Sequence, residues 1–403
     1  FTRYAGFAAD DLNVRDISLT GEHSTLGDIV VGLNSTFTVS TGATVTVGTV
    51  ESVSIGTHFS PPIGGMEDRP EAPVEGTVRF NEDLNTLEFY NGVDWRQFTV
   101  SGNNNTSNRG VFTGGYQAST ATGRMEAINI SSSGNTTYFG ELVYTVRDCG
   151  AMGNRIRGLV EGTTNTNQIQ YWTFATESNG LDFGDLTETK GTYNGSLASS
   201  TRGVWAGGWG GGSTKDTIEY VEIMTLGNGI DFGNLSVGAR SGMAGCSNGT
   251  RGLFMGGHDG TFVEEIEQIT ISSKGNTIDF GKMSGGLQNL MCAGNTVRAI
   301  HGGGIDNDGT ASNILEYITI ASSGNATEFG DLITNRHQGY GVANQTRAVF
   351  ASGSAPNHAN LTDLMEYVNI SSLGNGVDFG GTTTMKCDKA SAASNCHGGL
   401  GGY

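Results

Sequence analysis

From Arg109 onward the chain repeats itself about every 48 residues, and this self-similarity restricts the fold more than any other feature. Arg109, Arg157, Arg202, Arg251, Arg298 and Arg347 are each followed by Gly or Ala and then an apolar run, at spacings of 48, 45, 49, 47 and 49. A second landmark keeps the same period. Phe139, Phe183, Phe232, Phe280, Phe329 and Phe379 each precede a glycine, and all but Phe139, which follows Tyr138, come directly after an acid. Between the landmarks lie segments such as Glu316 to Ile320 and Glu366 to Ile370, then Ser-rich turns with Gly-Asn at 324–325 and 374–375. Period-two alternation bounded by Gly, Asn and Ser marks a strand. After each Phe-Gly pair a stretch of small residues, such as Arg240 to Asn248, leads into the next Arg, so each period holds four short strands.

Four strands per period of roughly 50 residues predict an all-β chain whose repeats are β-propeller blades. The small-residue segment is expected innermost, where blades crowd the axis, and the Phe-Gly strand outermost. Apolar strands ending in di-glycine, at 114–115, 207–208, 256–257 and 302–303, resemble the kelch repeat, with Phe in place of its late Trp. The resemblance covers about three quarters of the chain and implies a six-bladed kelch-like β-propeller over 101–403. The first period lacks an innermost strand and the chain ends with one, Lys389 to Asn395. The simplest ring is therefore closed by joining the two, which seals an otherwise open edge. Seven blades are the alternative, with Cys396 to Tyr403 as a degenerate second strand.

Composition excludes several other classes. The 65 glycines among 403 residues lack the every-third-residue period of collagen, and 36% hydrophobic residues with 18 Phe and 12 Tyr exceed what a disordered chain carries. A net charge of -18 with no Lys/Arg run argues against a nucleic-acid partner. No apolar stretch reaches the roughly 18 residues of a membrane span, so no membrane insertion is expected. Five cysteines at wide spacing, with no C-x-x-C pair, read as buried thiols.

The first hundred residues are a different object. Residues 1–60 contain a Thr/Val alternation from Asn34 to Val50 whose narrow strands cannot make a monomeric core, so this segment is expected to anchor and oligomerise, a trimer being plausible. Four of the five prolines fall within 61–75, which reads as an extended linker. Residues 76–100 carry Gly76 to Trp95, two strands around the Asn81 to Asn85 turn and a tight turn at Asn91-Gly92. The Asn, Glu-Phe-Tyr, Asn-Gly and Trp positions of this segment resemble a hairpin module of virion structural proteins of tailed bacteriophages, especially those of marine cyanobacteria. The resemblance implies a tail fibre or other virion appendage, located on the particle, joined to other virion proteins through residues 1–100.

Sharp and bland readings compete at each candidate site. The repeated Asp-Phe-Gly lacks every companion of the kinase motif and reads as structure. The six arginines either form a cationic ring for carboxylated or sulfated sugars or bond to the acid before Phe-Gly or to carbonyls between blades, the second being preferred. The seven histidines show no metal-ligand spacing. Loops between second and third strands diverge between repeats, and binding residues concentrate on such loops. Trp205, Trp209, His258, Asp259, Asp306, Asp308 and His358 are the candidate ligand contacts there. No catalytic residue, metal or cofactor is expected. The function anticipated is non-enzymatic attachment to a host-surface polysaccharide or receptor. A purely structural connector and an extracellular propeller enzyme acting on polysaccharide are the alternatives.

Overall fold

The apolar run after each repeated arginine forms a strand buried from its second residue onward: Arg109–Thr113, Arg157–Glu161, Arg202–Ala206, Arg251–Met255, Arg298–Gly302 and Arg347–Ala351. The computed structural model describes residues 61–83, 86–97, 108–117, 119–163, 165–193, 195–354, 361–382 and 386–396. The expected anchor, 1–60, lies outside them. Two compact units divide the chain, Phe1–Phe98 and Thr99–Tyr403.

In the second unit each arginine strand is the second strand of an antiparallel sheet. The inner strands are Ala151–Gly153, Ser196–Ala198, Ala244–Ser247, Met291–Gly294 and Tyr340–Ala343. The matching outer strands, each containing a Phe-Gly pair, are Leu181–Asp185, Ile230–Asn234, Ile278–Lys282, Thr327–Asp331 and Val377–Gly381. One further sheet is composite: Ser391–Ser394 pairs with Arg109–Thr113, followed by Thr120–Asn129 and Thr137–Val146. The inner strands neighbour one another in cyclic order, and Ser391–Ser394 lies between Tyr340–Ala343 and Ala151–Gly153. This all-β architecture of four-stranded antiparallel sheets is consistent with a β-propeller-like fold. Residues 397–403, the segment proposed for a seventh blade, lie outside the described residues.

The core is divided among the junctions between sheets. Phe329, for example, packs with Ala348, Phe350 and Val368 of the next sheet, and Phe379 with Phe112 and Ile128 of the composite one. Burying a side chain of this size contributes about 1.5–3 kcal/mol. The same junctions carry a repeated polar latch. The amide following each Phe-Gly pair donates to an Asn side chain of the next sheet, with Asn179, Asn228, Asn276, Asn325, Asn375 and Asn135 accepting at 3.0–3.1 Å. The Phe-Gly glycine must lack a side chain because a Cβ there would strike a carbonyl of that same turn, as at Gly281 against Gly324.

Each repeated arginine also crosses its junction. Arg109, Arg157, Arg202, Arg251, Arg298 and Arg347 donate to the carbonyls of Phe174, Ile223, Ile271, Ile320, Ile370 and Ser131 in the following sheet. Opposite the Phe-Gly glycine a bulge in the third strand turns a buried carboxylate into the junction, at Glu126, Glu219, Glu267, Glu316 and Glu366, with Gln170 in the remaining sheet. Lys190 pairs with Glu219 at 2.9 Å, Arg240 with Glu267 and Arg336 with Glu366 both at 2.5 Å. His301 lies within its strand, 1% exposed and 3.3 Å from Glu316.

In the first unit, the segment expected as a free linker is part of the module. Ile63–Gly64 pairs in parallel with Val78–Asn81, which continues antiparallel to Thr86–Tyr90 and Trp95–Gln97. The reason is a buried carboxylate: Glu88 is held by Arg69 at 2.6 Å, Arg79 at 3.4 Å and the Asn81 amide at 3.0 Å. Arg69 and Arg79 lie over the Trp95 ring. The Arg69 guanidinium holds the Glu88 carboxyl below the usual carboxylate range.

Candidate functional site

The inner strands are built from small residues because six of them converge. Ala151, Ser196, Gly245, Cys292, Gly341 and Ala392, one per sheet, line an axial cavity of about 70 Å³. A Cβ at Gly245 would meet the Ser196 backbone, and one at Gly341 the Cys292 carbonyl.

At the end of the axis where the inner strands begin, five backbone hydrogen bonds run from sheet to sheet around it, from Tyr193 to Gly242. Tyr193 N donates to Asp148 O, Asp148 N to Lys389 O, Lys389 N to Gln338 O, Gln338 N to Asn289 O and Asn289 N to Gly242 O, at 2.7–3.2 Å. Asp148, Tyr193, Asn289, Gln338 and Lys389 all have φ between 52 and 59°, and Gly242 has 74°. A non-glycine residue at positive φ is uncommon, and holding one costs of order 1–3 kcal/mol. Here the left-handed turn aims the five non-glycine amides at their neighbours, so these hydrogen bonds offset the strain. The space beside this ring is about 10 Å³, room for no more than one water.

The side chains at these positions are polar, with Asp148, Asn289 and Gln338 buried and Tyr193 and Lys389 half-buried. Asp148 lies 3.6 Å from Lys389 Nζ and 3.8 Å from Arg147 Nε, and the Tyr193 hydroxyl bonds to it. Burial raises the Asp148 carboxyl above its ordinary range, against the pull of Lys389 and Arg147. Arg147 stacks 4.6 Å from the centre of the Tyr116 ring, which Lys389 approaches to 5.6 Å.

Loops between second and third strands reach the same face, because they leave the second strand at the end where the inner strand starts. Bridges join Trp209 to Gly191, His258 to Ser241, Ile305 to Gln288 and Ser354 to His337. Trp209 is 42% exposed in a small hairpin with Thr214. Trp205 is not a surface residue: it is fully buried in the arginine strand, its Nε1 donating to Gly150 O at 3.0 Å. The His258 ring packs edge-on against Phe262. Asp259 accepts from the amide and hydroxyl of Thr261, and Asp306 from the amides of Asp308 and Thr310, so both carboxylates shape their own loops. Asp308 is exposed, and His358 lies outside the described residues.

The turn glycines of these loops fall one residue later than expected in one sheet. Gly302 completes its strand, and the pair at positive φ is Gly303-Gly304. The second glycine of these pairs bonds at or beyond the outer strand of its own sheet, as Gly115 N does to Val146 O and Gly304 N to Arg336 O. Asp148, Tyr116, Tyr193, Gln338 and Lys389 were not anticipated. The ring residues occur once per repeat, directly ahead of the inner strand, but their identities differ, so only their position within the period could have marked them.

Among the described residues no three His, Cys, Asp or Glu side chains converge as a metal site would require. No protein-family model matches the chain, and no curated protein matches it.

Proposed function

We propose that the chain is a structural protein of a tailed-bacteriophage virion, a tail fibre or tail-associated appendage, displaying a six-bladed kelch-like β-propeller for non-enzymatic attachment to host-surface glycan. One observation carries this reading. Latches, arginines and bulge carboxylates recur from sheet to sheet, whereas the loops of the axial face, though joined by similar bridges, differ in sequence, and they expose Trp209 and Asp308. A repeated scaffold with divergent loops on one face is the architecture of a binding platform. The composite sheet, with Gly134 N bonded to Phe379 O, supports closure at six blades. The buried carboxylates lie in separate junctions, each engaged by a cation or by backbone amides, which supports a role without catalysis. The module around Glu88 and Trp95 supports assignment to a virion, with residues 1–100 as the attachment to other virion proteins, in an oligomer.

The test is adsorption of the purified full chain to a panel of cyanobacterial cells and to their isolated surface polysaccharide, with product analysis. Adsorption without cleavage is expected. Release of oligosaccharide would establish the enzymatic alternative, and absence of adsorption the structural connector. Electron micrographs of the particle down the axis should show six lobes, and mass measurement of the chain should give an oligomer.

A further inference from the structure

Four of the six repeated arginines are covered by a tyrosine, while Arg251 and Arg109 lie instead over Phe280 and Phe139 at 5.8 and 5.7 Å. In four sheets a tyrosine of the third strand covers the guanidinium: Tyr171, Tyr220, Tyr317 and Tyr367 lie with ring centres 4.4–4.7 Å from Arg157, Arg202, Arg298 and Arg347. Gln268 takes that register position beside Arg251. In the composite sheet the position is Ala127, opposite Val111. The missing ring leaves a cavity of about 360 Å³ beside Arg109, on the face opposite the axial ring, bounded by Asn129, Asn135 and Phe174. That volume lies within the roughly 300–1,000 Å³ of small-molecule sites.

Three asparagines of the lining present donors beside Arg109, among the hydroxyls of Ser132, Ser133 and Thr137. Asn108 Oδ1 accepts from Asn344, Asn129 Oδ1 from the Ser131 amide and Asn135 Oδ1 from the Gly381 amide, so each presents its N–H₂ group. Arg109 uses Nη1 on the Phe174 carbonyl and keeps its other donors. Such a set matches an acceptor group that carries charge, since carboxylates take charge-assisted bonds from a guanidinium and from amide N–H. Glu177, itself exposed to solvent, is the one carboxylate of the lining, and the molecule as a whole is acidic. At physiological salt charges beyond about 8 Å are largely screened, so the donors at contact decide.

We propose that this seam binds a carboxylate-bearing pyranose unit of an acidic surface polysaccharide, with Arg109 and the three asparagine amides on its carboxylate and hydroxyls and its ring in the place of the absent tyrosine. The proposal rests on the reading of the chain as a glycan-attachment protein, and it names a second site on the other face.

The experiment is calorimetric titration of the full chain with trigalacturonate, with maltotriose as the neutral control, alongside cell adsorption. Binding of trigalacturonate but not maltotriose is expected. Ala127→Tyr, which restores the residue of the four sister sheets, should weaken it by at least about tenfold while cell adsorption through the axial face persists. Arg109→Lys, which keeps the charge but loses the fork, should weaken it similarly if Ala127→Tyr does not fold. Equal binding by wild type and the filled variant, or preference for maltotriose, overturns the seam site and leaves attachment standing. Loss of every saccharide and of cell adsorption together overturns both.

Discussion

The amide of Gly381 donates to Asn135 Oδ1 at 3.0 Å across 246 residues of sequence, the same bond that Asp331 makes to Asn375 within consecutive repeats. The junction onto the composite sheet thus uses no special device and repeats the chemistry of the others. The testable consequences follow from this repetition and from the places where it fails.

Gly380 has φ of 139°, and a Cβ there would run into the Gly134 carbonyl of the composite sheet. Gly380→Ala should therefore cost about 2–4 kcal/mol in denaturant unfolding. Gly324, with nothing within 4 Å of its built Cβ, is the control, and Gly324→Ala should stay within about 0.5 kcal/mol. Equal stability of the two variants would contradict a tight closing junction.

Trp205 and Trp209 are four residues apart, yet substitution should separate them. Trp205→Ala removes a fully buried ring and its bond to Gly150 O, and should destabilise by about 3–5 kcal/mol. Trp209→Ala, at a 42% exposed site, should leave stability within about 0.5 kcal/mol while reducing cell adsorption. Unchanged adsorption would remove Trp209 from the binding face.

Glu161 is fully buried, accepts from the amides of Gly150 and Thr192, and burial pushes its carboxyl from 4.5 up to about 8. The folded state therefore holds a proton that the unfolded state loses. Stability from this group is complete below about pH 4.5 and is lost as pH rises through 8. Glu161→Gln should flatten that decline, by at most about 1.4 kcal/mol per pH unit across the window. Parallel stability curves for wild type and variant between pH 5 and 8 would refute the assignment.

Arg336 and Glu366 are an ion pair at 2.5 Å with both side chains at most 1% exposed. Burial lowers the guanidinium and raises the carboxyl, so each depends on the other to stay charged. Arg336→Met should cost about 3–5 kcal/mol, and adding Glu366→Met should recover most of it, as a double-mutant cycle in denaturant will measure. Additive losses would exclude coupling.

Strand content and order were legible because Arg-Gly and Phe-Gly fix register independently within each repeat. The partners of those landmarks were harder to read, since the Asn that receives each latch belongs to the following repeat and local alternation is silent about it. Trp205 was misplaced because alternation gives Trp205 and Trp209 the same parity, and the glycine turn at Gly207-Gly208 changes what the second of them faces. The axial ring escaped notice because its positive-φ positions hold Asp, Tyr, Asn, Gln and Lys in place of glycine. Ala127 became informative only when its register against Val111 set it beside Arg109 in the place its sisters give to tyrosine.

The composite sheet also sets a clock on assembly. Thr113 Oγ1 meets the Ser391 carbonyl across 278 residues, and a ribosome adding about 5–20 residues per second needs roughly 14–56 s to make the chain between them. For that interval the free edge of Arg109–Thr113 stands exposed beside a growing stack, open to the wrong strand. Only when Ser391–Ser394 has been made does that exposure end.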